Sequence, residues 1–305
     1  MNHLSLKREQ TNNNMSSIKT IINSHPLAAY MILCFLLSWG SVIYCVGLDG
    51  FPARVLAGSR EKLPLIVAAT LSGPSISGLV LSLVKYGGKG TKQNLLDRYQ
   101  WKRQYVLLAL FAPSVVGLVL ALMCSFVSSE LYTPAILLIE KEERASFLFA
   151  GLSYGVAAGV FEELGWSFFL VPEMLQQREA NILDTGISIG LVWGMWHFLV
   201  AVWGSGNADG TFSMDLFVPW IPWNLMVMPA YRDLMVHVFE ATGGNAWAMT
   251  IMHGTLTACL PFILMPTRVT GLALASFYSL FAVTLGFIKL CICPLQGSNI
   301  QIRKV

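Results

Sequence analysis

The amino-acid sequence predicts an all-α, polytopic integral membrane protein in which about eight transmembrane helices surround an intramembrane cavity. Of the 305 residues, 55% are hydrophobic and 12% are charged, and the mean hydropathy is +0.60. A typical soluble domain has roughly 25% charged residues, so this chain has too few charges to cover a water-exposed globule of its size. Its apolar residues also fall into runs of about 20, the length that crosses a bilayer as a helix. We therefore expect the lipid bilayer to surround most of the surface.

Eight apolar runs lie between a polar N-terminal tail, residues 1–26, and a short C-terminal tail, residues 294–305. The connections between the runs are too short for a separate domain, so residues 27–293 are predicted to form one membrane domain. The first run is longer than the apolar part of a signal peptide and lacks a cleavage site after it, which predicts a retained span. Three prolines interrupt the sixth run. In order, the predicted spans are Leu27–Gly47, Pro64–Tyr86, Tyr105–Val127, Phe147–Val171, Gly186–Trp203, Leu216–His237, Ala246–Leu264 and Thr270–Cys293.

The positions of Lys and Arg predict the orientation of these spans. With the N-terminus inside the cell, 14 of the 20 Lys and Arg residues fall in inner segments and six in outer segments. Because cytoplasmic segments carry the excess of positive charge, both termini are expected in the cytoplasm and the protein in the cell (inner) membrane. The net charge is only +3, and no basic stripe alternates with aromatic residues. A nucleic-acid partner is therefore not expected.

Two adjacent glutamates in the fourth span are the first candidate functional residues. An ionisable side chain at the centre of a spanning helix costs ~2.5–3.5 kcal/mol, so such residues usually mark function. Glu162 and Glu163 point about 100° apart on a helix. Gly151, Gly155 and Gly159 precede Glu163 at intervals of four residues, a pattern that lets another helix approach closely. We expect Glu163 to face a helix–helix contact and Glu162 to point into a cavity; the alternative is a water-stabilised helix end.

Two histidines in later spans are the next candidates. His197 follows a second four-residue glycine stripe within residues 186–194 of the fifth span, and His253 lies in the seventh span with Thr257 one turn further on. A single membrane histidine is more often structural than catalytic. The helical rise of 1.5 Å per residue, however, predicts that Glu162, His197 and His253 share one layer in the cytoplasmic half of the membrane.

A carboxylate and two histidines in a dry pocket are suited to two kinds of chemistry. The carboxylate can accept a proton from water that a histidine orients, and further donors can stabilise the oxyanion formed on a carbonyl group. Such a site hydrolyses a peptide bond without a covalent intermediate. The same side chains can also bind zinc, but the sequence has no HExxH motif and its two histidines lie 56 residues apart. No metal and no cofactor are therefore predicted, and zinc is the rival mechanism.

Three motifs in order resemble those of the CAAX prenyl endopeptidase and bacteriocin-processing (CPBP, or Abi) membrane proteins. They are the Glu162-Glu163 pair, the aromatic-x-x-x-His motif that ends at His197, and the His-x-x-x-Asn-type motif from His253 to Thr257. The resemblance covers roughly residues 26–265. Further segments that look like the family are Gly73-Pro74, Leu95-Leu96 to Trp101, Leu170 to Gln176, and Ala241 to Gly244.

The resemblance implies an intramembrane glutamic endopeptidase with its motif-bearing protease core at about residues 147–265. It assigns Glu162 as the general base, His197 as its partner on the water, and His253 and Thr257 as the oxyanion hole. The implied substrate is a peptide or a membrane-anchored protein cleaved near the cytoplasmic face.

Two departures from the family pattern bear on activity. The arginine expected after the glutamate pair is Ser167, and the expected asparagine is Thr257, which keeps a hydrogen-bond donor. Glu163 is then expected either to be protonated or to find another partner, for which Arg178 and Arg232 are the inner-side candidates. A non-catalytic immunity or scaffold protein that binds a partner in the same cavity is therefore the main alternative. A transporter with a proton relay is a weaker one, because no inverted repeat of broken helices is found.

Overall fold

The computed structural model describes residues 19–20, 22–48, 63–96, 100–177, 182–207, 209–264 and 270–292. These residues are almost entirely helical and contain no β-strand, which confirms the predicted all-α class for this part of the chain. The two tails lie largely outside these ranges. The helices are α1 (Pro26–Val46), α2 (Leu63–Leu96), α3 (Arg103–Val127), α4 (Ser129–Tyr132), α5 (Ala135–Leu138), α6 (Lys141–Gly165), α7 (Val171–Gln177), α8 (Ile182–Gly204), α9 (Met214–Phe217), α10 (Trp220–Pro222), α11 (Met228–Ala241), α12 (Ala246–Ala258) and α13 (Gly271–Ile292).

Six helical stretches are long and apolar enough to cross a membrane. They coincide with the first five predicted spans and with the eighth, so the chain is a multi-pass membrane protein. Large apolar side chains cover the outside of these helices; Phe126 near the end of α3, for example, is 92% exposed. Lipid tails are the solvent that favours such a surface. The six stretches are Pro26–Val46, Pro64–Leu96, Arg103–Val127, Lys141–Gln176, Ile182–Gly204 and Gly271–Cys291.

The sixth and seventh predicted spans are helical but are interrupted by π-helical segments. The segment Trp223–Val227 joins α10 to α11, and Cys259–Leu264 extends α12. A third π-helical segment, Trp166–Leu170, joins α6 to α7. The helical path of the sixth predicted span therefore continues past Pro222 and Pro229 through a π-helical segment. Each uninterrupted α-helix in these two spans, α11 and α12, is accordingly short, at 14 and 13 residues.

Both glycine stripes lie at close helix–helix contacts, as the sequence predicts. A Cβ atom on Gly155 of α6 would lie 2.8 Å from Cβ of Ala258, and one on Gly159 would lie 2.6 Å from the carbonyl oxygen of Thr250. Ala258 and Thr250 both belong to α12. On α8, a Cβ atom on Gly190 would lie 2.9 Å from the carbonyl oxygen of Met228 on α11. The glycines thus bring the two histidine-bearing helices against the rest of the site.

Polar contacts at both ends of α13 show how the sixth predicted span runs. The backbone N–H of Gly271, where α13 begins, donates to the Asp215 carboxylate at 2.7 Å. Near the end of α13, Lys289 forms an ion pair with Asp233 at 2.9 Å. Between Gly271 and Lys289 the helix rises about 27 Å. The chain from α9 to α11 therefore runs along most of the length of α13.

The seventh predicted span runs beside α3 in the same direction. The Trp247 indole donates to the carbonyl of Leu95 at 3.3 Å, and the Thr255 hydroxyl donates to the carbonyl of Ala109 at 2.7 Å. Further along, a Cβ atom on Gly117 would lie 2.8 Å from the side chain of Leu260. Residue numbers rise together on the two helices, so their N-terminal ends lie on the same side of the bundle.

A buried carboxylate holds the helix that follows the glutamate pair. Glu173 on α7 is 1% exposed and accepts hydrogen bonds from the Lys85 ammonium and the Tyr86 hydroxyl. Gly87, which follows Tyr86 on α2, has φ of +70°. This conformation favours glycine because glycine has no Cβ atom. The backbone of α2 therefore bends immediately after its anchor to α7.

Candidate functional site

The two glutamates lie near the end of α6, directly before a π-helical segment. Glu162 is 3% exposed and Glu163 is fully buried. The segment Trp166–Leu170 begins three residues after Glu163. π-helical turns occur often at functional sites, because they change the direction in which successive side chains point. The pair is therefore in the interior of the protein and not at a solvated helix end.

Glu163 makes the densest set of polar contacts in the cluster. Both terminal nitrogens of the Arg232 guanidinium donate to its carboxylate, at 2.7 and 2.9 Å. The Ser167 hydroxyl donates to Oε2, and Nδ1 of His253 lies 2.7 Å from Oε1. Glu163 therefore faces a helix–helix contact, as the sequence predicts, and of the two expected outcomes it finds another partner, Arg232 of α11. Arg178, the other candidate, lies outside the residues that the structure describes.

These contacts fix the tautomer of His253. A carboxylate that is paired with a guanidinium carries no proton, so it only accepts hydrogen bonds. Nδ1 of His253 must therefore carry the hydrogen of the 2.7 Å bond to Glu163. In the neutral imidazole, Nε2 then has a free lone pair. Nε2 of His253 lies 3.8 Å from Oε1 of Glu162.

Glu162 is buried against a tryptophan of α8. Its Oε2 atom accepts a hydrogen bond of 2.8 Å from the Trp193 indole. A cleft of about 530 Å³ lies nearby between α2 and α6, and Phe161 lines it, but Glu162 does not. Trp193 of α8 thus lies beside the carboxylate, and the cavity around Glu162 stays a prediction.

His197 joins the cluster through Trp193 and not through a carboxylate. Its Nδ1 lies 2.9 Å from the Trp193 carbonyl oxygen. A carbonyl only accepts, so this nitrogen also carries the hydrogen and Nε2 has the lone pair. The imidazole is half-buried, and its ring centroid lies 4.7 Å from that of Trp196. In both candidate histidines, Nδ1 thus carries the hydrogen and Nε2 has the lone pair. Of the two, only His253 directly contacts a glutamate.

Trp193 contacts Glu162, Arg232 and both candidate histidines, although the sequence predicts it only as the aromatic residue of the His197 motif. Its indole donates to Glu162 and its ring lies 4.8 Å from that of His253. The Arg232 guanidinium lies 4.2 Å from the indole centroid, a cation–π contact. One sequence signal points to this role: Trp193 precedes His197 by one helical turn and is adjacent to the last glycine of the α8 stripe.

Thr257 lies one turn after His253 on α12 and is half-buried. Its hydroxyl forms no hydrogen bond to any of the described residues, and the structure does not link it to the carboxylates. Thr255, by contrast, bonds to the carbonyl of Ala109. The Thr257 hydroxyl is thus a donor that no described residue uses.

The described part of the chain contains no group of three His, Cys, Asp or Glu side chains arranged to hold a metal ion. Comparison of the sequence with protein-family models and with curated proteins finds no match. The resemblance to the CPBP proteins therefore rests on the three motifs. What the geometry adds is that two of these motifs, the glutamate pair and His253, form one hydrogen-bonded cluster, which the third motif joins through Trp193.

Proposed function

We propose that this chain is an intramembrane endopeptidase that hydrolyses a peptide bond near the cytoplasmic face with a water activated by Glu162. The observation that carries the proposal is that His253 bridges two buried glutamates of which only one is paired with a cation. Arg232 forms an ion pair with Glu163, whereas Glu162 accepts a single hydrogen bond from Trp193. Glu162 is therefore the carboxylate that is free to accept a proton.

The distance between Glu162 and His253 supports a water-based mechanism. Oε1 of Glu162 and Nε2 of His253 are 3.8 Å apart, too far for a direct hydrogen bond but suited to one water that contacts both at about 2.8 Å. Both atoms accept, so the water donates one hydrogen to each and directs its lone pairs away from them. A peptide carbonyl placed there would face the lone pairs. The geometry thus favours His253 as the partner on the water, the role that the family resemblance gives to His197.

The proposed reaction conserves protons without a covalent intermediate. Glu162 accepts a proton as the water oxygen bonds to the carbonyl carbon, and then returns it to the amide nitrogen as the C–N bond breaks. The unused hydroxyl of Thr257 is the proposed donor to the oxyanion. His197 joins this site through Trp193 and takes no proton in these steps.

We also propose eight spans, both termini in the cytoplasm and a location in the cell membrane. The support for the sixth span is that the chain from α9 to α11 runs along α13, one of the six apolar stretches. The support for the seventh is its parallel path beside α3. The orientation rests on the distribution of Lys and Arg.

A second candidate is a non-catalytic immunity or scaffold protein. It is favoured by the closure of the cluster, since Glu162, Glu163, His253 and Arg232 are each at most 3% exposed. Such a cluster can also serve to fix four helices to one another. In that case the polar groups would specify the fold and bind no water for catalysis.

Glu162→Gln separates these two functions. The amide keeps the shape of the side chain and can still accept from Trp193, but it cannot take a proton from water. We expect cleavage of a fluorogenic peptide library by the purified protein to fall by ~10²–10⁴, with little change in the unfolding temperature. Glu143→Gln is the matched control, because Glu143 is exposed in the first turn of the same helix.

Two results would contradict the proposal. Cleavage by the Glu162→Gln variant at the wild-type rate would exclude Glu162 as the base. Loss of cleavage with a chelator and its recovery with Zn²⁺ would replace the glutamic mechanism with a metal-dependent one. If the wild-type protein cleaves no peptide and Glu162→Gln only lowers stability, the scaffold function is favoured.

A further inference from the structure

Arg232 is fully buried and reaches the glutamate pair from α11, a different helix from the one that bears the glutamates. Both of its terminal nitrogens bond to Glu163, and its guanidinium lies against the face of Trp193. A guanidinium is always charged and presents its donors in a fixed planar fork. Its two-point contact therefore fixes both the charge of the Glu163 carboxylate and the direction of its two oxygens.

The oxygen that Arg232 fixes is also the one that holds His253. Oε1 of Glu163 accepts from Nη2 of Arg232 at 2.9 Å and from Nδ1 of His253 at 2.7 Å. If Glu163 lost its cation, a buried carboxylate would be uncompensated and would be favoured in the protonated form. A protonated Glu163 would no longer require the hydrogen on Nδ1, and the lone pair at Nε2 would no longer be guaranteed.

We infer that Arg232 is the positioning residue of this site: it acts on His253 through Glu163 and thereby keeps the Nε2 lone pair turned towards Glu162. We further infer that the cation itself, and not its attachment to α11, is what the site requires, so that an arginine at position 167 can replace it. The first inference concerns the state of an imidazole and holds whether or not the chain cleaves peptides. Only its catalytic consequence rests on the proposed function.

The space around Ser167 supports this exchange. Nη1 of Arg232 lies 3.4 Å from the Ser167 hydroxyl, and both groups contact Oε2 of Glu163. An arginine at 167 would follow Glu163 by one helical turn on the same chain segment, a spacing at which the two side chains meet. In the combined variant Ser167→Arg/Arg232→Ser, the new guanidinium can occupy the volume that the old one leaves. With Ser167→Arg alone, two guanidinium groups would compete for one carboxylate in a space that is already filled.

The test uses the purified full-length protein with ¹⁵N-labelled histidine, in which the nitrogen chemical shifts of His253 report its tautomer. His253→Gln identifies the signal. In the wild-type protein and in Arg232→Lys, which keeps the charge, we expect the hydrogen on Nδ1. We expect loss of this tautomer in Arg232→Ser and its return in Ser167→Arg/Arg232→Ser. Arg103→Ser, which removes an exposed arginine at the start of α3, is the matched control and should leave His253 unchanged.

The stability of the same variants decides the exchange even if one of them does not fold. We expect Arg232→Ser and Ser167→Arg each to lower the unfolding temperature in detergent, and the combined variant to regain much of the loss. A combined variant no more stable than Arg232→Ser would overturn the exchange of positions. An unchanged His253 tautomer in a folded Arg232→Ser protein would overturn the positioning role. Because neither measurement uses a substrate, failure of the proposed protease function would appear separately, as the absence of cleavage by the wild-type protein.

Discussion

Thr255 and Thr257 are two residues apart on α12 and have different surroundings. The Thr255 hydroxyl donates to the carbonyl of Ala109 on α3, whereas the Thr257 hydroxyl bonds to none of the described residues. Removing the first should therefore weaken a contact between helices. Removing the second should leave the fold unchanged and affect only what binds beside His253.

Paired valine substitutions test this difference. Thr257→Val keeps the shape of the side chain but removes the donor, so we expect peptide cleavage to fall by up to ~10²–10³ at an unchanged unfolding temperature. Thr255→Val should lower stability by about 0.5–1.5 kcal/mol, the net contribution of one hydrogen bond, with a smaller effect on the rate. The measurements are initial cleavage rates and thermal unfolding in detergent. Equal rates for wild type and Thr257→Val would remove Thr257 from the oxyanion hole.

The glutamates, the histidines and two candidate partners of Glu163 could be predicted from the sequence, but which of these side chains meet could not. An ionisable residue inside an apolar run is conspicuous in the sequence because its insertion is costly. The partner of Glu163 is 69 residues away on another helix, and this contact depends on how three helices pack. The same reason explains why the roles expected for His197 and His253 differ from those that the geometry favours. Which histidine reaches the carboxylates is set by the angles between helices, which the sequence does not encode locally.

At the scale of one element, the glycine stripe of α6 is expected to affect the stability of the protein. Its glycines bring α6 within contact of α12, and this contact places His253 beside Glu163. Helices pack closely in lipid where small residues allow their backbones to approach. The spacing of four residues is enough to predict this face from the sequence. It does not predict the π-helical segment Trp166–Leu170, because the spacing of small residues describes a face of a helix and not the hydrogen-bond pattern of its backbone.

Two Gly→Leu variants test the contact between α6 and α12. Gly155→Leu would force a branched side chain against Ala258, whose Cβ already lies 2.8 Å from the position of a Cβ atom at 155. We expect overpacking to destabilise the protein by about 1–3 kcal/mol or more and to abolish cleavage. Gly40→Leu is the control, since no atom lies within 4 Å of a Cβ atom there. That position on α1 should tolerate leucine or gain up to about 1 kcal/mol from its better helix propensity.

Thermal unfolding in detergent measures both changes. A Gly155→Leu protein with the wild-type unfolding temperature would show that α6 and α12 separate easily, and the arrangement of the site would then need another explanation. Destabilisation by both variants to the same extent would indicate a general intolerance of leucine, unrelated to the contact.

At the scale of the whole molecule, the count of spans depends on where the loop between α11 and α12 lies. The Lys102 ammonium donates to the carbonyl of Ala241 at 2.6 Å, and the Trp247 indole bonds to Leu95. This loop therefore contacts the connection between α2 and α3, which the proposed orientation puts in the cytoplasm. Eight apolar runs reduce to six when each span must also be one long apolar α-helix, and α11 and α12 are too short for that at 14 and 13 residues.

Epitope insertion at two loops distinguishes eight spans from six. With eight, an epitope at Asn207 lies outside the cell and one at Gly243 lies inside. With six, the whole connection from α8 to α13 is external, so both epitopes are outside. We expect antibody to reach the Asn207 epitope in intact cells and the Gly243 epitope only after permeabilisation. Both positions are exposed, and exposed loop tips tolerate insertions well. A C-terminal epitope is the control, because both arrangements leave it inside. Access to both Asn207 and Gly243 in intact cells, with the C-terminus protected, would exclude eight spans. Access to the C-terminus in intact cells would reverse the orientation.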